Sequence, residues 1–442
     1  MNGRPLAGRH AVVVGGGWAG IASAWRLREA GADVELLDAQ DQLGGRSRGV
    51  PLGDRLVTLG GKNIGKNYTR FRGFVTDHGG GDWEDFGIST SQVEDGRLTP
   101  IEGRARRRAI LHLLRKARSS DVILLLRLAR AVMADSSNRF LDGPAFIRAA
   151  RGGDLPLSEV FGSHVARRLI RPMTMRMNGA EPDEAFLGNL GTNLSLVLDS
   201  FDQLIDGFDP VLAQFGATVT VRTSSTATSI LQQDGVVSGV TYTSHTSGGG
   251  QIDADIVVLA VPAPAAASLT MPFDDSTAAT LAAVPYYPVA VVVAEYDSEI
   301  FGEVGRAVIL PEGSVLSNAG AYGKADRRTV RYTFSGRASR ALLASRTDTQ
   351  ELLLIGEREL EPFLPLRGAT AIRAVSHVWR DGLCAYGPDH HLLSERLQRA
   401  SSATRGLAFA GDYVAGASIE ACFVSAERAL ATLMSRPAEE VR

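Results

Sequence analysis

Cysteine is almost absent. Cys384 and Cys422 are the only two in 442 residues, which excludes a disulfide framework, a CxxC redox pair and a cysteine-based zinc site, so no metal is expected. Long apolar runs are missing too. None approaches the 18 residues needed to cross a bilayer, and the opening MNGRPLAGRH has no apolar core of the signal-peptide kind, so a cytoplasmic protein is expected, one that at most rests on a membrane surface. No excess of positive charge exists either. The formal net charge of −2 argues against a nucleic-acid footprint over the whole surface. Lysine is scarce: of 47 basic residues, only Lys62, Lys66, Lys116 and Lys324 are lysines. There is no internal repeat. The length exceeds what a single core supports, so two domains are expected.

What is present begins at Ala11. Four apolar residues, Ala11–Val14, read as a buried strand that runs into Gly15, Gly17 and Gly20, followed by a helical pattern over Ile21–Glu29. Gly15 suits a tight turn, Gly17 admits a pyrophosphate close to the backbone, and Gly20 lets the helix pack against the strand. Phosphates placed there meet the free N–H groups and the positive dipole end of a helix. A second strand, Val34–Leu37, ends at Asp38, placed to accept hydrogen bonds from an adenosine ribose. Strand, glycine turn, helix, strand and acid together point to a dinucleotide.

Leu43-Gly44-Gly45-Arg46 resembles the glycine-glycine-arginine segment of the flavin amine oxidase and phytoene desaturase superfamily, and Leu59-Gly60-Gly61-Lys62-Asn63-Ile64-Gly65 resembles the loop that runs beside the flavin ring in those enzymes. The resemblance implies FAD, bound by Gly15, Gly17, Trp18, Ala19, Gly20, Asp38, Ala39, Gly44, Gly45, Arg46, Gly60, Gly61, Lys62 and Asn63. Farther along, Thr226-Ala227-Thr228-Ser229-Ile230 resembles the element whose backbone meets adenine, which adds Ala227. The C-terminal Gly406–Asp412 is similar to the strand and turn that reach the pyrophosphate and ribityl chain. Gly411 and Asp412 join the set there, and Ser418 and Ile419 open a helix whose dipole faces the flavin. Lys62 stands where the family carries small or neutral residues. In a chain that otherwise uses arginine, an ammonium there is a candidate catalytic group beside the flavin.

Residues 77 to about 200 read as mostly helical. Arg104–Arg118 is basic with interspersed leucines and Val122–Met133 is an apolar helix carrying Arg127 and Arg130, a pair suited either to a solvated cap or to peripheral membrane contact. Met173, Met175 and Met177 alternate along Pro172–Met177, as core filler or as a cavity wall; with Arg176 and Tyr386, Met173 and Met175 are candidate substrate contacts. Gly216–Val221, Val236–Thr243 and Ala254–Val261 read as strands of the dinucleotide domain. Pro285–Val293 looks most like protoporphyrinogen oxidase and its relatives. It has Ala290 where monoamine oxidases tend to place a lysine, which by the resemblance disfavours an amine oxidase that uses that lysine. Arg328–Ser335 and Arg373–Trp379 would complete an antiparallel sheet flooring the substrate cavity. Cys384 lies before the Ala410-Gly411 turn at about the spacing of the cysteine that carries the flavin covalently in monoamine oxidases.

The expected fold is therefore α/β: a Rossmann-type, glutathione-reductase-like FAD-binding domain of residues 1–76, 205–275 and 385–435, with a discontinuous α+β substrate domain, helical over 77–204 and sheet-forming over 276–384, that has a helical cap. Residues 436–442 read as a tail. The expected activity is an FAD-dependent oxidoreductase taking a hydride from a largely apolar small molecule in a biosynthetic pathway and passing electrons to O2 or another small acceptor. An amine or amino-acid oxidase, and a redox-neutral isomerase or flavin-binding module, are the alternatives. No NAD(P)H site is expected, since Gly79–Gly81 and Gly248–Gly250 lack the flanking strand and helix.

Overall fold

In the computed structural model of the protein, residues 4–86, 90–94, 96–100, 115–244, 248–302, 306–346 and 348–435 are described. The strand His10–Val14 lies at the middle of a five-stranded sheet, all parallel, with Asp33–Leu37 and Thr220–Arg222 on one side and Ile256–Leu259 and Leu407–Phe409 on the other. Ala11 and Val13 feed one hydrophobic core, with the helices Trp18–Glu29 and Ile419–Met434. Val12 and Val14 feed a second, under the three-stranded sheet of Ser225–Gln233, Val236–Ser244 and Gly250–Asp253. Burial on both faces is why the strand reads as an unbroken apolar run. Gly216–Val221 is not one strand, as expected from its pattern: the helix Asp209–Gly216 runs through Gly216, and only Thr220–Arg222 pairs.

A seven-stranded sheet forms the second layer. Its order is Ala371–Cys384, Tyr286–Tyr296, Thr329–Phe334, Asn318–Ala321, Ala307–Ile309, Thr90–Glu94 and Arg97–Pro100, antiparallel except where Ala307–Ile309 meets Thr90–Glu94. Along Thr329–Phe334, Val330, Tyr332 and Phe334 pack into a core closed by the helices Arg337–Ser345 and Thr349–Leu360, which leaves Arg331 and Thr333 on the opposite face. The helical reading of residues 77–200 is corrected here. Trp83–Asp85, Thr90–Glu94 and Arg97–Pro100 are strands: the last two form a local hairpin, while Trp83–Asp85 pairs with Phe201–Leu204 and Thr90–Glu94 joins the sheet through Ala307–Ile309, partners distant in sequence.

Helices Ser119–Ala134, Pro144–Ala150, Arg171–Asn178 and Leu190–Leu198 pack around a fourth apolar cluster, and Ala166–Ile170 is a single wide π-type turn leading into Arg171–Asn178. Most of Arg104–Arg118 lies outside the described residues. Its expected partner does form a helix, with Ile123, Leu126 and Met133 exposed beside Arg127 and Arg130. Among the described residues no helix is long and apolar enough to cross a membrane.

The closest constraint on the first turn is at Gly20, where a methyl group would run into the carbonyl oxygen of Gly15. Gly20→Ala should therefore cost about 1–3 kcal/mol by overpacking. Thermal unfolding of the two proteins compared side by side checks this, and an unchanged Tm would show that the helix can shift without loss.

Candidate active site

One cavity of about 2080 Å³ runs from Asp38 past the glycine turn to the exposed face of the seven-stranded sheet. That is about twice the upper end of the range for a drug-sized ligand, so it has room for a dinucleotide and a second small molecule. At its first end are Asp38, Ala39 and the strand segment Ser225–Thr228, which includes Ala227. The Asp38 carboxylate accepts from the Gly16 and Gln40 backbone N–H groups, and its own carbonyl accepts from Ser225. Burial raises the Asp38 pKa, with those N–H groups opposing the rise. The strand adjoining it carries a bulge between Ala227 and Ser229.

At the middle, Gly15 holds φ at +110° and a side chain there would strike the Ala260 carbonyl. Gly17 caps the helix Trp18–Glu29 without a side-chain bond, and among the described residues the N–H groups of Trp18, Ala19 and Gly20 make no backbone hydrogen bond. Those unspent donors beside the cavity fit a diphosphate. Trp18 is fixed by edge-on contacts with Phe71 and Phe208, at 5.0 and 5.2 Å, so its backbone is what it offers the cavity. Gly20 itself serves packing and does not line the cavity.

Facing this turn, Arg46 Nη1 donates to Asp412 Oδ2 at 2.7 Å and to the Gly382 carbonyl at 2.8 Å. Burial works against the Arg46 charge, but Asp412 outweighs it and holds the guanidinium firmly protonated. Asp412 also accepts from the Tyr286 hydroxyl and the Tyr413 backbone N–H. Gly44, Gly45, Gly411, Ser418 and Ile419 complete this stretch of wall, and Ser418 Oγ caps the helix Ile419–Met434 by accepting from Ala421.

Beyond them lie Gly60, Gly61, Lys62 and Asn63. Gly60 packs directly on the Arg46 carbonyl, with no room for a side chain. Lys62 turns inward: Nζ donates to Gln203 Oε1 at 2.6 Å and to the Tyr322 carbonyl, and lies 4.3 Å from the centres of both the Phe86 and Tyr322 rings. Burial pulls its ammonium down to about 7; the Arg331 and Arg55 charges push the same way, and Glu84 and Asp326 oppose.

Several expected substrate contacts move. Met173, Arg176 and Met177 line the cavity, because positions i, i+3 and i+4 share one face of the helix Arg171–Asn178. Met175 points the other way, against Gly336, so the alternation read from the sequence does not make one wall. Tyr386 is buried behind the site, its hydroxyl donating to the Asp412 carbonyl at 3.1 Å, and does not line the cavity. Alternation along Tyr286–Tyr296 puts Ala290, with Val292 and Ala294, in the core and turns Val289 and Val291 to the cavity, while the bulge opposite Tyr287–Val289 lies in the partner strand Ala371–Cys384. The missing lysine at Ala290 thus says nothing about the cavity wall. Arg331, Gln203, His164 and Arg168 were not singled out by sequence. Arg331 sat in a normally alternating strand whose polar face gave no sign that it roofs a cavity.

A glycine turn at the C-terminal end of the central parallel strand, a basic clamp facing that turn and a second chamber beyond fit a dinucleotide with room for a further molecule. The chain belongs to the family described as flavin containing amine oxidoreductase, whose model matches residues 18–433, and its cofactor is accordingly FAD. A protein of Mycobacterium tuberculosis provisionally named flavin-containing monoamine oxidase AofH is 26% identical over 271 residues, 57% of this chain and 56% of the relative. The chain thus matches little more than half the length of that relative. Coproporphyrinogen III oxidase of Mycobacterium leprae is 23% identical, covering 98% of this chain and 100% of the relative. A crystal structure provisionally named protoporphyrinogen oxidase, from Exiguobacterium sp. 255-15, superposes with a TM-score of 0.73 at 17% identity over 97% of this chain and 99% of that one, a likeness of fold.

Two measurements follow from this geometry. With an ammonium near 7, the rate of flavin reduction or reoxidation should change with an apparent pKa close to 7, and Lys62→Met should abolish that step in the pH profile and slow one half-reaction by about tenfold; retention of both step and rates would leave Lys62 with packing alone. Cys384 lines the cavity, but burial, then Asp412, push its thiol well above its ordinary range, which suppresses the thiolate that flavin attachment needs. Acid precipitation should therefore leave the yellow colour in the supernatant; colour in the pellet would mean a covalent bond.

Proposed function

We propose that the protein is an FAD-dependent oxidoreductase that takes a hydride from a small molecule with a largely apolar body, held between the seven-stranded sheet and the helix Arg171–Asn178. The observation that carries this reading is the single continuous cavity linking the unspent N–H groups at Gly17–Gly20 to the sheet face. Its discontinuous FAD-binding domain comprises 1–76, 205–275 and 385–435, on the glutathione-reductase-like plan, and the remainder forms the substrate domain. The bound flavin supplies the hydride acceptor and returns electrons to O2 or another small acceptor.

The chain's own residues do the rest. The N–H groups of Trp18 and Ala19 and the Arg46 guanidinium take the diphosphate charge, and Asp38 takes the ribose hydroxyls. Asp412 fixes Arg46 and is itself fixed by Tyr286. The helix beginning at Ile419 presents its positive end to the cavity, which favours negative charge developing on a reduced ring. Met173, Met177, Val289 and Val291 exclude water from the substrate chamber. Lys62, able to switch between ammonium and amine near neutrality, holds or releases a proton at Nζ.

The named relatives include monoamine oxidases, and oxidation of an amine is the second reading. Against it stand Lys62 and Arg331, both on the cavity wall and neither with a carboxylate partner among the described residues, which repel a protonated amine.

The test is direct. Purified protein should be yellow and release FAD, and anaerobic addition of compounds from a panel of lipidic, polycyclic and amino substrates should bleach it. Asp38→Ala should weaken FAD retention by about tenfold or more, the loss of one or two charge-assisted hydrogen bonds. Colourless protein that FAD cannot reconstitute would overturn the reading.

A further inference from the structure

The cavity wall holds two half-buried cations, Arg331 and Lys62, that no carboxylate pairs among the described residues. Arg331 lies on the strand Thr329–Phe334, on the face opposite the core, between Gly320 on one neighbouring strand and Val293 on the other. Gly320 has no side chain to cover it. Among the described residues, only one of its five N–H donors is used, on Nη1, to the Thr58 carbonyl at 3.0 Å, and no carboxylate forms an ion pair with it. Lys62 is likewise met only by neutral groups, the Gln203 amide, the Tyr322 carbonyl and two aromatic faces. The nearest acid, Glu84, bonds to the far end of Gln203 and not to Lys62. Asp85 and Asp199, which also line the cavity, are engaged by Lys66 and Asn67.

Burying a charge without a counter-charge is expensive, and a protein has many ways to supply a carboxylate. Here burial, with the Arg176 charge next against it, lowers Arg331 to about 10, and Lys62 falls to about 7 for the related reasons given above. An anion arriving with the ligand removes both penalties at once. A guanidinium with four donors left also matches a carboxylate in shape, since its fork binds both oxygens. Around it the wall mixes apolar Val291, Ala307, Ile309 and Ala321 with neutral Asn318 and Thr333, and Met173 and Met177 stand on the helix that also lines the cavity, so the anion would terminate a largely apolar body.

We infer that the substrate carries a carboxylate, received by the Arg331 guanidinium with the Lys62 ammonium as second donor, so that the molecule oxidised is an apolar acid. This rests on the proposed oxidoreductase reading and narrows it to a substrate class.

The experiment uses the FAD-loaded protein and a matched pair of probes, 3-phenylpropanoate and 3-phenylpropanamide, which share a body and differ in charge. Binding is read from perturbation of the visible flavin band. At a pH below 7 the acid should bind at least about tenfold more tightly than the amide. Arg331→Met should erase that preference while FAD content stays at that of the parent protein, Arg331→Lys should restore part of it, and Lys62→Met should reduce it. If Arg331→Met fails to fold, the parent protein still decides: its preference for the acid should fall as pH rises through 7, as Lys62, facing Arg331, Arg55, Glu84, Asp326 and Tyr322, loses its proton. Equal binding of the two probes, no perturbation by the acid up to about 10 mM, or a preference undiminished in Arg331→Met or across the pH range would each overturn the inference. Failure of the oxidoreductase reading shows itself differently, as protein that holds no FAD or is bleached by nothing.

Discussion

The ion pair between Arg46 and Asp412 holds the site together. It joins residues 366 positions apart in sequence, and the same Arg46 nitrogen reaches the Gly382 carbonyl on the long strand of the seven-stranded sheet. Three segments that fold as separate pieces, the first glycine loop, the last strand turn and the substrate sheet, are thereby fixed at one point. A pair with one partner buried gives little net stability, because desolvation of Asp412 offsets the attraction, but loss of Arg46 would leave that carboxylate stranded. Asp412 is held from behind by Tyr286, Tyr413 and Tyr386, so its position is over-determined. The geometry of the diphosphate region thus depends on a contact made only after the whole chain has folded.

Much of the nucleotide half was legible in the sequence because its constraints are local. A strand buried on both faces must be apolar throughout, a backbone that approaches phosphate must lack side chains, and a helix that begins there needs no cap of its own. His10–Val14, Gly15 and the helix from Trp18 obey all three.

The substrate half was less legible because its order is long-range. Thr90–Glu94 is polar and short, and becomes a strand through its parallel pairing with Ala307–Ile309, more than 200 residues away. Met173 and Met175 look equivalent until a helix separates them by about 200°, which sends one to the cavity and the other to Gly336. Ala290 misleads for a related reason: an apolar run buried on both faces carries no mark of which alternate residues face the core and which the cavity, and Ala290 falls on the core side. In each case the residue type was read correctly and its direction was not.

Direction also explains how one sheet serves two purposes. Along Thr329–Phe334 the core side is Val, Tyr and Phe, and the cavity side is Arg331 and Thr333, a pattern that any half-exposed strand shows. What changes its meaning is the helical layer above, carrying Met173, Arg176 and Met177, which turns a polar face that water would ordinarily solvate into the wall of an enclosed chamber. Groups that would titrate normally at a surface are shifted there: Lys62 to about 7 and Arg331 to about 10, burial being the first cause for both. The same enclosure that a hydride transfer needs to exclude water therefore creates the unpaired cations, and it makes the site selective for the charge of what enters it.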